Sequence, residues 1–385
     1  MQHRTKEQMI LNYEYKLYVN KHTKELSQLV TTANYVRNHI VALYRRYYKL
    51  YGKRPSENKV KSHIARLTKK NPYWKLMGSQ SMQELTERVE NGYKRFFDKL
   101  SKRPPKFHKV DGYGSFIFKG KTGYALNGNT LVINKLKRTY KFKLTRPYDK
   151  IKNIKIYRDN LGQLWLIVNN EVTNPKTYER HENGCIGMDF GLKTFITTSD
   201  NVSIDAPLPL KNNLKRLRKL SRNLSKKKMG SNGRRRAKKE LAKLYERITN
   251  QRTDFHWKLA HELCKTHSYI AIEDLNLNGM IKRWGRKVSD LGWGLFVLKL
   301  EEVALKYGTK LVKIGRFEAS SQICHCCGYK NSGTKDLSVR EWICPQCGAI
   351  HDRDVNAAIN ILNISLKGKD ISLGSSDSKS KKVKA

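Results

Sequence analysis

Five cysteines near the C-terminus are spaced as ligands of a metal ion. The segment reads CHCCG at 324–328 and CPQCG at 344–348, and four thiolates complete a tetrahedral zinc site that has no open position. Both halves match the pattern C-x-x-C-G only if Cys327, and not Cys326, is the ligand. The alternatives are reduced cysteines packed in a core, and competition from His351, for which four cysteines leave no vacancy. The sequence therefore predicts one structural zinc ion bound by Cys324, Cys327, Cys344 and Cys347.

Three acidic residues form a second set that could carry chemistry. In GCIGMDFG, strand alternation places Asp189 on the same side as its flanking glycines. In YIAIEDL, Glu273 shares a face with Ala271, and Asp354 comes just before a helix that is predicted to begin near Val355. Small neighbours around a carboxylate leave room for a metal ion and an approaching phosphate.

Each of these acids also has a purely structural explanation when it is taken alone. Asp189 could be a turn residue, and either Asp352 or Asp354 could be the N-cap of the following helix. Together, however, acids on a first strand, a later strand and a terminal helix can converge on two divalent ions about 3.5–4 Å apart. Such ions activate a water molecule and neutralise charge on a scissile phosphodiester. We predict that two Mg²⁺ ions are bound by the catalytic residues Asp189, Glu273 and Asp354.

The charge of the chain indicates the class of its partner. Lys and Arg number 78 against 33 Asp and Glu, which gives a formal net charge of +45, and such self-repulsion is typical of proteins that bind a polyanion. Hydrophobic residues make up 38% of the chain, too many for a wholly disordered basic tail. No run approaches the ~18 apolar residues of a membrane helix, and the N-terminus lacks the apolar block of a signal peptide. We expect a cytoplasmic protein that binds nucleic acid and no membrane.

The most basic stretch covers 211–252, where 17 Lys or Arg stand against two Glu. Leucines at helical spacing predict a helical hairpin that turns at 229–233. A run of charged residues commonly forms a solvated face. In this stretch acids are nearly absent, so the repulsion among the cations is unfavourable unless phosphates lie alongside them. The hairpin is therefore a predicted nucleic-acid contact.

Hydrophobic periodicity divides the rest of the chain into segments of different structure. The N-terminus alternates as a strand in LNYEYKLYVN, and the next segment predicts helices over 24–51, 57–69 and 72–100. After the breaker RPP at 103–105, β-forming segments continue to about 172 and predict a small antiparallel sheet or barrel. From 184 onward strands and helices alternate, which predicts an α/β core with strands near 184–190, 194–198, 268–273 and 309–315.

The order of several motifs resembles one known family. GMDFGLKTF is followed by a basic hairpin that ends in NQRTDFHWKLAHEL, then by IAIEDLNLNGM, SSQICHCCG, VREWICPQCG and HDRDVNAAINIL. This order, which covers roughly 184–364, resembles the TnpB (OrfB) proteins encoded by bacterial and archaeal insertion sequences. That family is akin to the compact type V CRISPR effector nucleases.

The resemblance implies a multidomain α+β fold. Its nuclease core would be RNase H-like (RuvC) with an inserted zinc ribbon, preceded by a β-barrel wedge and a helical recognition domain. The family's catalytic acids and zinc ligands fall on the same residues that spacing selects, and Arg340 resembles an arginine that lies near the scissile phosphate. The implied domains are a first wedge strand at 1–20, the recognition domain at 21–103, the remaining wedge at 104–180, the RuvC-like core at 181–318, the zinc ribbon at 319–350, the last RuvC segment at 351–365 and a disordered basic tail at 366–385.

The function that the resemblance implies is RNA-guided cleavage of DNA. Members bind an RNA made from the end of their own transposon and cut double-stranded DNA beside a short adjacent motif, which suits a cationic surface that reads backbones rather than bases. The alternative is a guided DNA-binding repressor of the same scaffold that does not cut. A self-sufficient transposase ranks last because no His-x-His pair with a nucleophilic tyrosine is present. The sequence does not determine the oligomeric state.

Overall fold

The computed structural model describes residues 8–110, 112–119, 122–173, 178–179, 182–315, 318, 320–336 and 338–367. The chain divides into two compact units, 1–175 and 176–385. Within the described ranges, no helix combines the length and the hydropathy that crossing a membrane requires.

The first unit contains the predicted helical segment. Its helices are α1 (Thr23–Tyr51), α2 (Glu57–Lys70), α3 (Pro72–Lys75) and α4 (Ser79–Phe97). The single helix predicted over 72–100 is wrong, because the chain is interrupted at Gly78, which has a φ of +78°. Only glycine adopts this conformation without steric cost, so the helical stripe breaks there. The apolar faces of α1 and α4 are buried in one core with the strands of this unit.

The β-structure of the first unit forms antiparallel sheets. Its strands are β1 (Gln8–Lys16), β2 (Gly114–Lys119), β3 (Tyr124–Asn127), β4 (Thr130–Ile133), β5 (Arg138–Lys141), β6 (Lys150–Arg158) and β7 (Leu164–Thr173). One sheet has the order β1-β7-β6-β2 and another the order β3-β4-β5. An isolated bridge pairs Leu17, just after β1, with Phe142, just after β5. The N-terminal strand thus pairs with β-structure more than a hundred residues away, and closure into a barrel stays a prediction.

The second unit is built on a mixed sheet. Its strands are β8 (Gly184–Asp189), β9 (Ile196–Thr198), β10 (Ser203–Ile204), β11 (His267–Glu273) and β12 (Lys310–Ile314), in the order β10-β9-β8-β11-β12. The strands predicted from the alternating pattern are confirmed. β8, β11 and β12 run parallel, whereas β9 is antiparallel to β8. Parallel neighbours end at the same edge, so the carboxyl ends of β8 and β11 lie side by side.

Helices cover both faces of this sheet. They are α5 (Pro209–Asn212), α6 (Leu214–Lys226), α7 (Asn232–Thr266), α8 (Leu277–Leu291), α9 (Trp293–Tyr307) and α10 (Arg353–Lys367). Ile270 and Ile272 pack into one core with residues of α7 and α9, and Ala271 packs on the other face with Ile361 of α10. The predicted helical hairpin is confirmed as α6 and α7, joined by residues 227–231.

The segment before α10 carries the cysteines. It contains the antiparallel strands β13 (Glu341–Ile343) and β14 (Ile350–Asp352), in which Trp342 is paired with His351. The structure contradicts the first two residues of the predicted disordered tail, because 366 and 367 belong to the last turn of α10. The remainder of that predicted tail, 368–385, lies outside the described residues.

Candidate functional site

The structure brings the three predicted acids to one edge of the mixed sheet. Asp189 ends β8 and Glu273 ends the parallel neighbour β11. Asp354 lies in the first turn of α10, which packs on the face of the sheet that bears Gly187 and Ala271. Strand pairing and helix packing therefore assemble carboxylates that are more than 80 positions apart in the chain.

The environment of Asp189 and Glu273 opposes negative charge. Burial, together with the charges of Asp354 and Glu273, raises the pKa of Asp189 to about 7. Burial, with the neighbouring charge of Asp274, also raises the pKa of Glu273. The buried guanidinium of Arg353 acts in the opposite direction on Asp189 but is outweighed. Carboxyl groups that are hard to ionise side by side are the arrangement that a bound cation would relieve.

One arginine already neutralises part of this cluster. Nη1 of Arg340 lies 3.0 and 3.2 Å from the two carboxylate oxygens of Asp354. In the part of the chain that the structure describes, four cysteines have ligand atoms that all lie within 4.8 Å of one another. The three acids do not meet this criterion. The guanidinium of Arg340 thus lies at the acid cluster, and its contact with a phosphate stays a prediction.

The ambiguity about the helix cap is resolved by the hydrogen bonds at the start of α10. Oδ1 of Asp352 accepts from the backbone N–H groups of Asp354 and Val355, each at 2.9 Å. Asp352 is therefore the N-cap of α10. Asp354 follows it inside the first turn, where its carboxylate is free of capping and bonds Arg340 instead.

The four predicted zinc ligands form a compact cluster. The sulfur atoms of Cys324, Cys327, Cys344 and Cys347 all lie within 4.8 Å of one another. The Sγ–Sγ distances are 3.7 Å between Cys324 and Cys347 and 3.5 Å between Cys327 and Cys344. Zn–S bonds of about 2.3 Å at tetrahedral angles would hold sulfurs about 3.8 Å apart, so this cluster has the size of a zinc site.

The two cysteine turns are built alike, as their matching sequences predict. Gly328 and Gly348 have φ angles of +80° and +73°, which require glycine. In each turn the glycine N–H bonds the carbonyl of the first cysteine at 2.9 Å, Gly328 to Cys324 and Gly348 to Cys344. Hydrogen bonds within each turn therefore hold its pair of sulfurs in place.

Two further donors lie beside this cluster. Cys324, Cys326 and His351 form an overlapping set whose ligand atoms are also within 4.8 Å of one another. Nε2 of His351 is 3.0 Å from Sγ of Cys324, and the histidine is almost fully buried. Cys324 belongs to both sets. If each set held its own ion, Cys324 would have to bridge the two ions. The set of four cysteines is the one that closes a tetrahedron.

Two protein-family models match the part of the chain that carries these features. A family model for OrfB of IS605, described as "Probable transposase", matches residues 167–283. A second model, for the Cas12f1-like TNB domain, matches residues 293–361. The first match contains Asp189, Glu273 and the whole hairpin, and the second contains the four-cysteine cluster and Asp354.

Individual relatives extend the match over most of the chain. A "Putative RNA-guided DNA endonuclease" of Streptomyces pristinaespiralis is 29% identical over 363 residues, which cover 91% of this chain and 88% of the relative. The TnpB-like protein L770 of Acanthamoeba polyphaga mimivirus is 27% identical over 244 residues, or 59% of this chain and 46% of that protein. The chain therefore resembles the TnpB (OrfB) family, with the OrfB model matching over 167–283.

The overall architecture agrees with this assignment. The cryo-EM structure of a Cas12f1–sgRNA–target DNA complex matches with a TM-score of 0.56 and covers 90% of this chain and 83% of the Cas12f1 chain. Sequence identity in that match is 14%. It therefore shows that this TnpB relative shares the fold of a compact effector.

The basic hairpin of this TnpB relative presents its charge to solvent. Of the 17 cations between 211 and 252, 15 are exposed, and only Arg234 and Arg252 are partly covered. Arg234 bonds the carbonyls of Leu224 and Lys227 at the turn. Within the described chain, this stretch forms one ion pair, between Arg252 and Asp290 at 3.8 Å. The surface is therefore left almost uncompensated.

Two asparagines of the TnpB relative join the cysteine cluster to the acid-bearing helix, and the sequence analysis missed them. Oδ1 of Asn356 accepts from the backbone N–H of His325 at 3.0 Å, and its Nδ2 donates to the carbonyl of Ile323 at 2.8 Å. Nδ2 of Asn360 donates to the carbonyls of Ser320 and Ile323. Asparagines four positions apart share one face of a helix, but this spacing does not distinguish a buried pair from a solvated one.

The glycines beside Asp189 have a different role from the predicted one. A Cβ on Gly187 would lie 2.1 Å from the carbonyl oxygen of Ala358, and one on Gly191 would lie 2.8 Å from that of Thr194. The expectation that these glycines leave room for a metal ion and a phosphate is wrong. Gly187 instead lets the backbone of α10 approach β8, which brings Asp354 toward Asp189.

Proposed function

We propose that this chain is an RNA-guided DNA endonuclease that hydrolyses phosphodiester bonds at the cluster of Asp189, Glu273 and Asp354. The convergence of these acids from three separate elements is the observation that carries the proposal. It is supported by relatives that bear the name RNA-guided DNA endonuclease, over 88% of the length of one of them. A binding protein without catalysis would have no use for carboxylates whose ionisation is opposed by their surroundings.

The acid cluster suits divalent magnesium. Its donors are carboxylate oxygens, which hard cations prefer, and the raised pKa values of Asp189 and Glu273 indicate a deficit of positive charge. Asp189, Glu273 and Asp354 would hold two Mg²⁺ ions, which when bound activate water and neutralise charge on the scissile phosphate. The sheet with α10 then acts as an RNase H-like (RuvC) core.

Several residues act around this centre. Asp352 caps α10 and so fixes the backbone that carries Asp354. Arg340 holds Asp354 through two hydrogen bonds, and its guanidinium would pass from this carboxylate to a bound phosphate. The four cysteines would hold one structural Zn²⁺. Asn356 ties the first cysteine turn to α10.

The surfaces outside the centre supply the guide and target contacts. We assign backbone binding to the exposed cations of α6 and α7, because an uncompensated cationic surface is favourable beside phosphates. The first unit would form the recognition helices and the wedge barrel. The guide RNA would derive from the end of the transposon that encodes the protein, the target would carry a short adjacent motif, and the protein would act in the cytoplasm of a bacterium or archaeon.

The decisive experiment is cleavage of a matched plasmid by the purified protein with its co-purified RNA. We expect cutting that depends on Mg²⁺ and falls by roughly 10³-fold or more in Asp189→Asn, since metal ions supply several kcal/mol of transition-state stabilisation. The variant should still bind target, and binding should weaken steeply as salt rises. Tight guided binding by the wild type without any cutting would instead favour a repressor.

A further inference from the structure

A cavity of about 300 Å³ opens beside the acid cluster. It lies at the carboxyl end of β11, between the loop that follows this strand and the N-terminal half of α9. Phe190, Ile272, Trp293 and Leu298 give it apolar walls, and Glu273 lines it as well. The volume is at the lower end of the range of small-molecule sites. The cavity and the proposed metal centre therefore share one residue.

The walls favour a flat ligand that has polar edges. Phe190 and Trp293 form an aromatic pair whose ring centroids are 6.2 Å apart. Trp293 is 1% exposed, and its indole N–H finds no hydrogen-bond acceptor among the described residues. This N–H is closed off from solvent, so the wall offers a ligand apolar contacts rather than a donor. Apolar walls that include two aromatic residues suit a flat heteroaromatic ring.

The charges around the opening fit the same ligand. Glu273 and Asp274 place carboxylates at the cavity, where they accept hydrogen bonds from amino groups. Lys313 also lines it and is paired with Glu301 at 2.6 Å. A nucleobase offers amino groups at its edge and a face for aromatic contact. One sugar separates each base from its phosphate, so a base can enter this cavity while the phosphate lies at the acids.

We infer that the cavity binds the nucleobase next to the scissile phosphate when a single DNA strand enters the site. The inference rests on the proposed function for the position of the phosphate. Base insertion would fix the strand against the metal centre without reading its whole sequence, and it requires an unpaired strand because the base must leave its stack. Bases that carry an amino group would be favoured over thymine.

The test fills the cavity from a position that tolerates change. Leu298 lines it and is 62% exposed, and Leu305 lies seven residues along the same helix, is 66% exposed and does not line it. Guide-loaded wild type, Leu298→Trp and Leu305→Trp are given matched single-stranded DNA in which one abasic nucleotide is moved along the strand. Wild type and Leu305→Trp should cut roughly 5- to 150-fold more slowly when one position next to the cut is abasic, the range expected for loss of one base contact.

Leu298→Trp should cut the intact strand about as slowly as wild type cuts that abasic strand, and should be insensitive to the abasic position. Equal cutting of all abasic strands by wild type, or retained sensitivity in Leu298→Trp, would overturn the inference. Binding separates this result from a failure of the proposed function. With 2-aminopurine moved along a strand bound in Mg²⁺-free buffer, one position should change fluorescence in wild type and Leu305→Trp but not in Leu298→Trp. A scan without such a position would overturn the base site even in a protein that never cuts.

Discussion

The cysteine cluster and the acid cluster lie in the same unit of the molecule but are assembled in different ways. Each cysteine pair is positioned by a turn of five residues that contains its own glycine and its own hydrogen bonds. The acids come from β8, β11 and α10, and nothing local brings them together. Their positions depend on strand pairing, on the close approach at Gly187 and on the start of α10.

This difference makes the cysteine cluster a support for the acid cluster. The first cysteine turn is bonded to Asn356, two residues along α10 from Asp354. The second turn continues through β14 into Asp352, the cap of the same helix. We therefore expect damage to the cysteine cluster to reach the acids, whereas damage to the acids should leave the cysteine cluster intact.

The largest expected effect is that of removing a zinc ligand. Cys344→Ser leaves three sulfurs, so zinc should be lost and the structure around α10 should loosen, since binding of a structural zinc contributes about 10–16 kcal/mol in small zinc domains. Zinc content by elemental analysis and the thermal unfolding midpoint report the two effects. The matched control is Cys326→Ser, an exposed cysteine outside the set of four, which should retain one zinc. Full zinc in Cys344→Ser would contradict the ligand assignment.

An intermediate effect is expected from cutting the connection between the clusters. Asn356→Ala leaves the backbone N–H of His325 unpaired, while the carbonyl of Ile323 keeps its bond from Asn360. The loss should cost about 1–3 kcal/mol of unfolding free energy. Zinc should remain bound while cleavage falls, because the ligands are untouched. Asn363→Ala is the control, an exposed asparagine on the same helix. Loss of zinc in Asn356→Ala with normal cleavage would reverse the proposed direction of support.

The smallest effect concerns pH and distinguishes the clusters electrostatically. Without added Mg²⁺, folded Asp189 has a pKa of about 7, whereas an unfolded aspartate has one near 3.9. Between these two values the folded state holds a proton that the unfolded state has lost, so this contribution to stability falls as pH rises from about 4 to about 7. Chemical unfolding should show wild type losing stability over this window relative to Asp189→Asn, and Mg²⁺ should abolish the trend. A parallel pH dependence of the two proteins would contradict the shifted pKa.

Sequence patterns located the parts of the molecule that depend on local chemistry. The cysteine spacing selected Cys327 over Cys326 through one glycine, and strand alternation placed Asp189 and Glu273 each on the side of its strand that carries small residues. The pattern could not separate Asp352 from Asp354 as the cap, because both precede the same helix and only hydrogen-bond geometry distinguishes them. The pattern attributed the small residue at 187 to the space that a metal ion and a phosphate need. The structure shows that the packing of α10 against β8 requires this glycine.

Buried polar contacts were beyond the reach of the sequence. Asn356 and Asn360 resemble solvated helix residues until the partner carbonyls of the cysteine segment are known. The break of the predicted helix at Gly78 was missed for a related reason, since an isolated glycine is tolerated in many helices and only its positive φ shows the interruption. The cavity at Trp293 is formed by residues from several elements, and no one segment encodes it.

Counting bound metal ions tests the central claim most directly. Mn²⁺ replaces Mg²⁺ as the probe, and titration calorimetry above pH 7 with paramagnetic resonance reports how many ions the zinc-loaded protein holds. We predict two ions for wild type and for Asp254→Asn, which removes an exposed carboxylate on α7, and at most one for each of Asp189→Asn, Glu273→Gln and Asp354→Asn. Two ions bound with unchanged affinity in all three acid variants would show that these carboxylates do not form a metal centre.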